Sequence, residues 1–499
     1  MQTSASLASL LDRLEARKRE FGPGGQARTA RLLRTIGRSR FSDAPSLIRF
    51  HEALLLFRAY PANDEIRRVA EELLSSFTER IDRLRRAGVD LEPFEEPDVS
   101  GISGTAFTAI FSYDITRWLV RRHPRCVEID WDATDPELLG PLLRRLHPFF
   151  GEDLLVEANI PYLDWFHAAK KTRESDLAWL ISRIEKFPED GAELYAAAKI
   201  AIHWDLGDGR MTRSNLRLPG VPKYFYHDGP LLKRSDVSLA TELESPKIPT
   251  TRISRAQGER FLDLARETSA MRYRELHGFT YGDPAHVIHA DLGRGVEVFV
   301  NGVPPEHRLP LRAYHSGMYF KNGVPIGYIE CLTLFDRMEV GFNLYYTFRE
   351  GETAWLYARL LRLFRQLLGV NYFAVDPYQI GLRNEEAIES GAFWFYRKLG
   401  FRPTDKRVAR ILATEEKKLK AGPAHRTSAR ILRRLAAGWM IFETPGSKAG
   451  KWDDFEVRKM AMQLDRSPFS PSVRRAKTAA EEAEYVWLSQ KWHRPLKLG

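Results

Sequence analysis

Between residues 317 and 348 the side chains alternate with period two, and one dipeptide decides how that stretch can fold. Asn322-Gly323 supplies the two positive-φ positions of a type I′ turn, so GMYFKNGVPIGYIECLTLF is predicted to be an antiparallel hairpin. Asp336 and Arg337 mark a second short turn. Beyond it Met338, Val340, Phe342 and Leu344 alternate with Glu339, Gly341, Asn343 and Tyr345, which predicts a third strand and hence a three-stranded meander.

Directly after this strand come Arg349, Glu350, Gly351, Glu352, Thr353 and Ala354, and then a strongly amphipathic segment. Leu356, Leu360, Leu363, Phe364 and Leu367 fall on one helical face, and Gly369 stands where a helix usually stops. The turn gathers free backbone N–H groups at the positive end of the helix dipole. Its small residues let an anion approach closely, as a pyrophosphate site requires. A short strand at 371–375 follows, and then a helix from about Gly391 carrying Trp394, Phe395, Tyr396 and Leu399, which stops at Gly400-Phe401.

The order of meander, glycine-containing turn, amphipathic helix, strand and Tyr396-Arg-Lys-Leu-Gly400-Phe401 resembles the GNAT superfamily of N-acyltransferases over about 251–404. That resemblance implies a GNAT-like mixed β-sheet with flanking helices. It also implies acetyl-CoA or another acyl-CoA as co-substrate, an amine acceptor, and no metal. By the same resemblance Arg349, Gly351, Glu352, Thr353 and Ala354 hold the coenzyme, Tyr396 protonates the departing thiolate, and backbone N–H groups freed where strand 338–348 splays from its neighbour polarise the thioester carbonyl. The chain departs from the family pattern in places. Phe348 occupies the slot usually held by Arg or Gln, Thr353 stands where Gly or Ala is usual, and Glu350 and Glu352 bring negative charge to the turn. Asn384 lies twelve residues before Tyr396 instead of about seven, so NEEAIES reads as an insertion or extra helical turn, and DPYQIGLR as a lengthened loop.

Amide formation also needs a base, and a carboxylate on a central strand can be desolvated towards a neutral pKa. Glu330 and Glu339 are the candidates. Glu330 interrupts the large side chains Ile326, Tyr328, Leu332 and Leu334 of its strand and is preferred; Glu339 lies on the polar side of a clean alternation, where plain exposure is the simpler reading. For Tyr396 the simpler reading is a core aromatic beside Trp394 and Phe395. His286, His289 and Asp291 form H-x-x-H-x-D, but Gly293, Gly295 and VEVFV point to strands, so structural histidines are favoured over metal ligands. Cys331 has no adjacent His and reads as a buried thiol. With Cys126 as the only other cysteine, a disulfide framework and a Cys-rich zinc site are both excluded.

A chain of 499 residues is expected to form several domains, since single cores seldom keep growing beyond about 250–300 residues. The expected fold class is multidomain α/β. Residues 1–100 carry helical periodicity in Leu7, Leu10, Leu11 and Leu14 and again in Ile66, Val69, Leu73 and Phe77; Arg28, Arg31, Arg34, Arg38 and Arg40 read as a solvated face. Residues 101–250 read as a mainly helical mixed region, with runs at Leu177–Ile184 and Leu194–Ile202, and the SPKIPTT segment at 245–251 reads as a linker. Residues 405–499 are expected to be a basic helical extension packed on the preceding domain. No apolar run approaches the ~18 residues of a membrane helix and no secretion signal is read, so the cytoplasm is the default compartment. The net charge of +10 suits an anionic partner, and coenzyme A meets that condition as well as a nucleic acid, which is not favoured. Two other readings stand beside the acyltransferase: a non-catalytic GNAT-like binding or scaffold module, and an aminoacyl-tRNA dependent transferase. The oligomeric state is left open.

Overall fold

The computed structural model describes residues 6–146 and 159–455, apart from 171, 208, 222, 310, 311 and 423. The chain is a mixed α/β protein. Five amino-terminal helices, Leu7–Arg17, Pro23–Arg38, Ala44–Ala59, Asp64–Ser75 and Phe77–Arg86, come first. Asp43 caps the third of these by accepting from the Ser46 backbone N–H at 2.7 Å. That helix is buried on nearly every side, and even His51, Glu52 and Arg58 lie inside. Burial holds the His51 imidazole down to about 4, so it is neutral. Its Nε2 lies 2.9 Å from Ser214 Oγ, while Glu52 accepts from Arg213 at 2.7 Å and from the Thr347 hydroxyl. Burial alone would raise the Glu52 carboxyl, but Arg213, His51 and Thr347 outweigh it and hold it at about 2. This network ties the third helix to the segment just before the Arg349–Ala354 turn. The amino-terminal helices are therefore part of the core of the molecule.

Between 101 and 250 the structure contains a small antiparallel sheet as well as helices. Its strands are β1 (Ala106–Ile110), β2 (Val127–Ile129) and β3 (Ala201–Asp205), in the order β1-β3-β2. The run expected to be helical at Leu194–Ile202 splits: helix Gly191–Ala198 ends at Lys199, whose φ of +46° turns the chain into β3. The expected linker is also structured. Both backbone groups of Ile248 bond the Gln366 side chain, at 2.7 and 2.9 Å, and Thr250–Arg252 is a strand.

The main sheet has nine strands. They are β4 (Thr250–Arg252), β5 (Val287–Gly293), β6 (Val296–Gly302), β7 (Ala313–Lys321), β8 (Val324–Leu334), β9 (Arg337–Leu344), β10 (Tyr372–Val375), β11 (Arg402–Pro403) and β12 (Met440–Glu443). Their order is β11-β12-β10-β9-β8-β7-β6-β5-β4. The meander β7-β8-β9 forms with Asn322 and Gly323 at φ of +50° and +79°, as the dipeptide requires. Only β9 and β10 run parallel, joined by the crossover helix Thr353–Leu368 that ends at left-handed Gly369. The carboxy-terminal extension differs from expectation. After helices Lys406–Ala421 and Ala429–Leu435 the chain returns as β12, which pairs with both β10 and β11. The sheet therefore needs residues beyond 404, because Met440 and Phe442 lie beside Val375, Phe373 and Phe401, which would otherwise be exposed. The remainder of that extension, 456–499, lies outside the described residues.

Candidate functional site

The parallel pair opens at one point. Tyr372, Phe373 and Ala374 of β10 pair with Arg337, Met338 and Glu339 of β9, and pairing stops there. β9 continues to Leu344 with its β8 edge paired and, among the described residues, no strand on its other edge. Backbone groups on such an edge are available to a ligand.

Three cavities meet along this opening. The first, about 610 Å³, lies at the amino-terminal end of helix Thr353–Leu368 and is lined by Arg349, Gly351, Thr353 and Ala354 together with Lys233 and Arg234. Arg19 and Glu350 also border it and pair with each other at 2.7 Å on the surface. The second, about 320 Å³, shares Arg349, Thr353 and Phe395 with the first and runs along Phe342, Asn343 and Tyr396. The third, about 410 Å³, shares Gln379 with the second and is walled by Glu330, Glu339, Tyr314, Arg312 and Trp439. The first two cavities adjoin at three shared residues and the last two at Gln379, a row we call the groove, cationic at one end and carrying carboxylates at the other.

Glu352 is the exception among the residues expected at the turn. Its side chain is 3% exposed and turned away from the groove, where Arg294 grips it with two N–H groups at 2.5 and 3.0 Å and the Leu232 N–H donates at 3.1 Å. Lys321 Nζ stands 3.9 Å away, itself fully buried, and burial pushes that amine down to about 7. The negative charge expected beside a bound anion is thus neutralised inside the protein, and only Glu350 remains at the surface. Gly351 is required by proximity: a Cβ there would lie 2.5 Å from Tyr60 Oη and 2.9 Å from its ring.

At the other end, Glu330 accepts a hydrogen bond from the Tyr314 hydroxyl. Burial raises the Glu330 carboxyl above its ordinary value, against the opposing influence of Tyr314 and His277. Glu339 is neither free nor solvated. Arg337 and Arg312 bond its two oxygens at 2.8 and 3.1 Å. It is ion-paired through both oxygens, whereas Glu330 has a hydroxyl partner.

Tyr396 is 4% exposed and packs its ring against Tyr357, Phe395 and Phe401, with centroids 5.6, 5.2 and 5.7 Å away. Burial raises its phenol strongly, so it holds its proton throughout the neutral range. The ring packs in the core, and the residue also lines the second cavity. Tyr357 also packs on Phe342, which points to the opposite face of β9 from Gly341, the partner of Glu330. Glu330 and Tyr396 therefore approach the opening from opposite faces of the sheet. Asn384 caps the short inserted helix Glu385–Glu389, and the preceding loop delivers Gln379 to the junction of two cavities.

His286 pairs with Asp283 at 2.5 Å and His289 lies 3.8 Å from Glu297; no group of three metal-ligating side chains occurs among the described residues. Cys331 is buried. No helix among the described residues is long and apolar enough to cross a membrane. Sequence reasoning missed Arg19, Lys233, Arg234, Tyr314 and Trp439. The three cations lie in short basic runs, Arg17-Lys18-Arg19 and Lys233-Arg234, far in sequence from the turn at 349–354, and nothing local ties them to it. Tyr314 had one in principle, since it shares a hairpin with Glu330. No protein-family model, no curated protein and no solved structure matches the chain.

Proposed function

We propose that the chain is an acyl-CoA dependent N-acyltransferase built on a GNAT-like domain, transferring an acyl group, most simply acetyl, to an amine. One observation carries this reading: the groove of adjoining cavities from a cationic helix terminus, along the edge of β9 and past Tyr396, to Glu330. Such a groove offers phosphate contacts, a narrow passage and a basic carboxylate in the order that an acyl-CoA and an amine need.

The lining fits the coenzyme. Lys233, Arg234 and Arg349, with the helix dipole, suit phosphate groups. When bound, an acyl-CoA supplies the thioester. Unpaired backbone N–H groups of β9 beyond Glu339 donate to the thioester carbonyl oxygen. Glu330 accepts the proton lost by the attacking amine, and its raised pKa improves it as a base near neutrality. The C–S bond breaks as the C–N bond forms, and Tyr396 Oη gives its proton to the sulfur. Tyr314 holds Glu330 in position.

Calorimetry with acetyl-CoA tests the reading. Micromolar binding is expected, weakened about tenfold or more by Lys233→Ala with Arg234→Ala. Thiol release with a panel of amines is then expected to fall about 100-fold or more in Tyr396→Phe. No binding at millimolar acetyl-CoA would sink the proposal, and binding without turnover on any amine would leave a binding module.

A further inference from the structure

A second site lies away from the groove, between helix Ala44–Ala59, the turn at 212–216 and the segment Tyr345–Phe348. It is a cavity of about 10 Å³ lined by Leu55, Leu216, Val324 and Phe348 and by two arginines, Arg213 and Arg272. That volume admits one water or one monatomic ion and excludes a phosphate or a carboxylate.

Both arginines are buried, at 4% and 5% exposure. Arg213 gives Nη2 to Glu52 at 2.7 Å and to Thr347 at 3.3 Å, but its Nε and Nη1 have no partner among the described residues. Arg272 gives Nη1 to the Thr268 carbonyl at 2.7 Å and lies 3.9 Å above the Tyr345 ring, and its Nε is likewise unpartnered. No carboxylate among the described residues lies within ion-pair distance of Arg272. Arg58, also buried, donates to the Ser214 carbonyl at 2.6 Å. Arg213 and Arg272 thus share one carboxylate, Glu52, while Glu71 offsets Arg58, and His51 is neutral. A water in the cavity would satisfy the free N–H groups and leave the excess charge uncompensated; an anion does both.

We propose that this cavity is a monatomic anion site, occupied by chloride, with Arg213 and Arg272 as its donors. It is independent of the acyl-transfer reading, since none of its residues lines the groove. Its occupant would brace Tyr345–Phe348, the segment leading into the Arg349–Ala354 turn: Arg272 stacks on Tyr345, Thr347 bonds Glu52, and Phe348 forms part of the wall.

Bromide is the probe. Crystals of the full chain soaked in sodium bromide are expected to give an anomalous peak within about 3.5 Å of both guanidinium groups. A water, or no density, at that place in crystals that carry bromide elsewhere would overturn the proposal. In solution at fixed ionic strength, replacing gluconate by chloride is expected to raise the melting temperature by roughly 2–4 °C and to saturate. Arg272→Met should abolish that dependence. An equal chloride shift in that variant also overturns the site, and if the variant does not fold the bromide experiment on the unaltered chain decides.

Discussion

Acid sensitivity centred on His227 follows from its surroundings. The ring is 1% exposed, lies 4.9 Å from Phe225, 5.2 Å from Phe21 and 5.6 Å from Tyr60 between centroids, and neither ring nitrogen has a partner among the described residues. Burial, with Lys321 and Arg294 nearby, pushes its pKa from 6.5 to about 2. Below pH 6.5 the unfolded chain binds a proton at this residue and the folded chain does not, so stability rises with pH across this window and is lost as pH falls. At pH 5 the gap is about 1.5 pH units, which at ~1.36 kcal/mol per unit amounts to about 2 kcal/mol lost relative to pH 7. His227→Phe removes the titration and keeps an aromatic ring in the aromatic nest. Urea unfolding of both proteins at pH 7 and pH 5 gives the comparison, and the other histidines with lowered pKa values, His51 and His315, cancel in it. The unaltered protein should lose about 2 kcal/mol more than the variant on acidification. Equal losses would refute the reasoning, whatever the absolute stability of the variant.

Three further outcomes are expected. Gly351→Ala should cost about 1–3 kcal/mol through the contact with Tyr60, and adding Tyr60→Phe, which removes the nearest atom at 2.5 Å, should recover part of it; additive losses in thermal denaturation would disprove the contact. Glu352→Gln should destabilise by about 3–5 kcal/mol because it strands Arg294 and the buried Lys321, and a loss below about 1 kcal/mol would show that the pair is dispensable. Glu330 has a raised folded pKa, so its contribution to stability falls as pH rises from 4.5 through that folded value. Glu330→Gln should thus be more stable than the unaltered protein above this window while acyl transfer drops by about 100-fold or more; equal stability at all pH values would contradict the burial of that carboxyl.

Local chemistry made the meander, the crossover helix and its glycine stop legible in the sequence. Asn322-Gly323 needs two positive φ angles, and Leu356 to Leu367 share one helical face, whatever surrounds them. Glu330 stood out for a similar reason, as a carboxylate in an apolar row. Its partner did not. Direct counting back from the turn would set Glu330 opposite His315. A bulge after Pro325 shifts the register by one residue and sets it opposite Ser316, which brings Tyr314 onto its face and within reach. Pro325 and Gly327 flank that bulge and are its one trace in the sequence.

The remainder was decided by contacts between distant parts of the chain. Whether Glu352 would repel an anion depended on Arg294, 58 residues away in sequence, and whether the tail was an appendage depended on β12 finding β10. The cations that line the cavity at the helix terminus include Arg19, Lys233 and Arg234, which no local pattern links to the turn at 349–354. By itself the sequence determined the meander, the crossover helix with its glycine stop and which residues carry useful chemistry, because those depend on near neighbours. Only the tertiary structure decided which charges are neutralised, which edge stays open and which residues meet across the groove, because Coulomb energy and desolvation are set by distance in space.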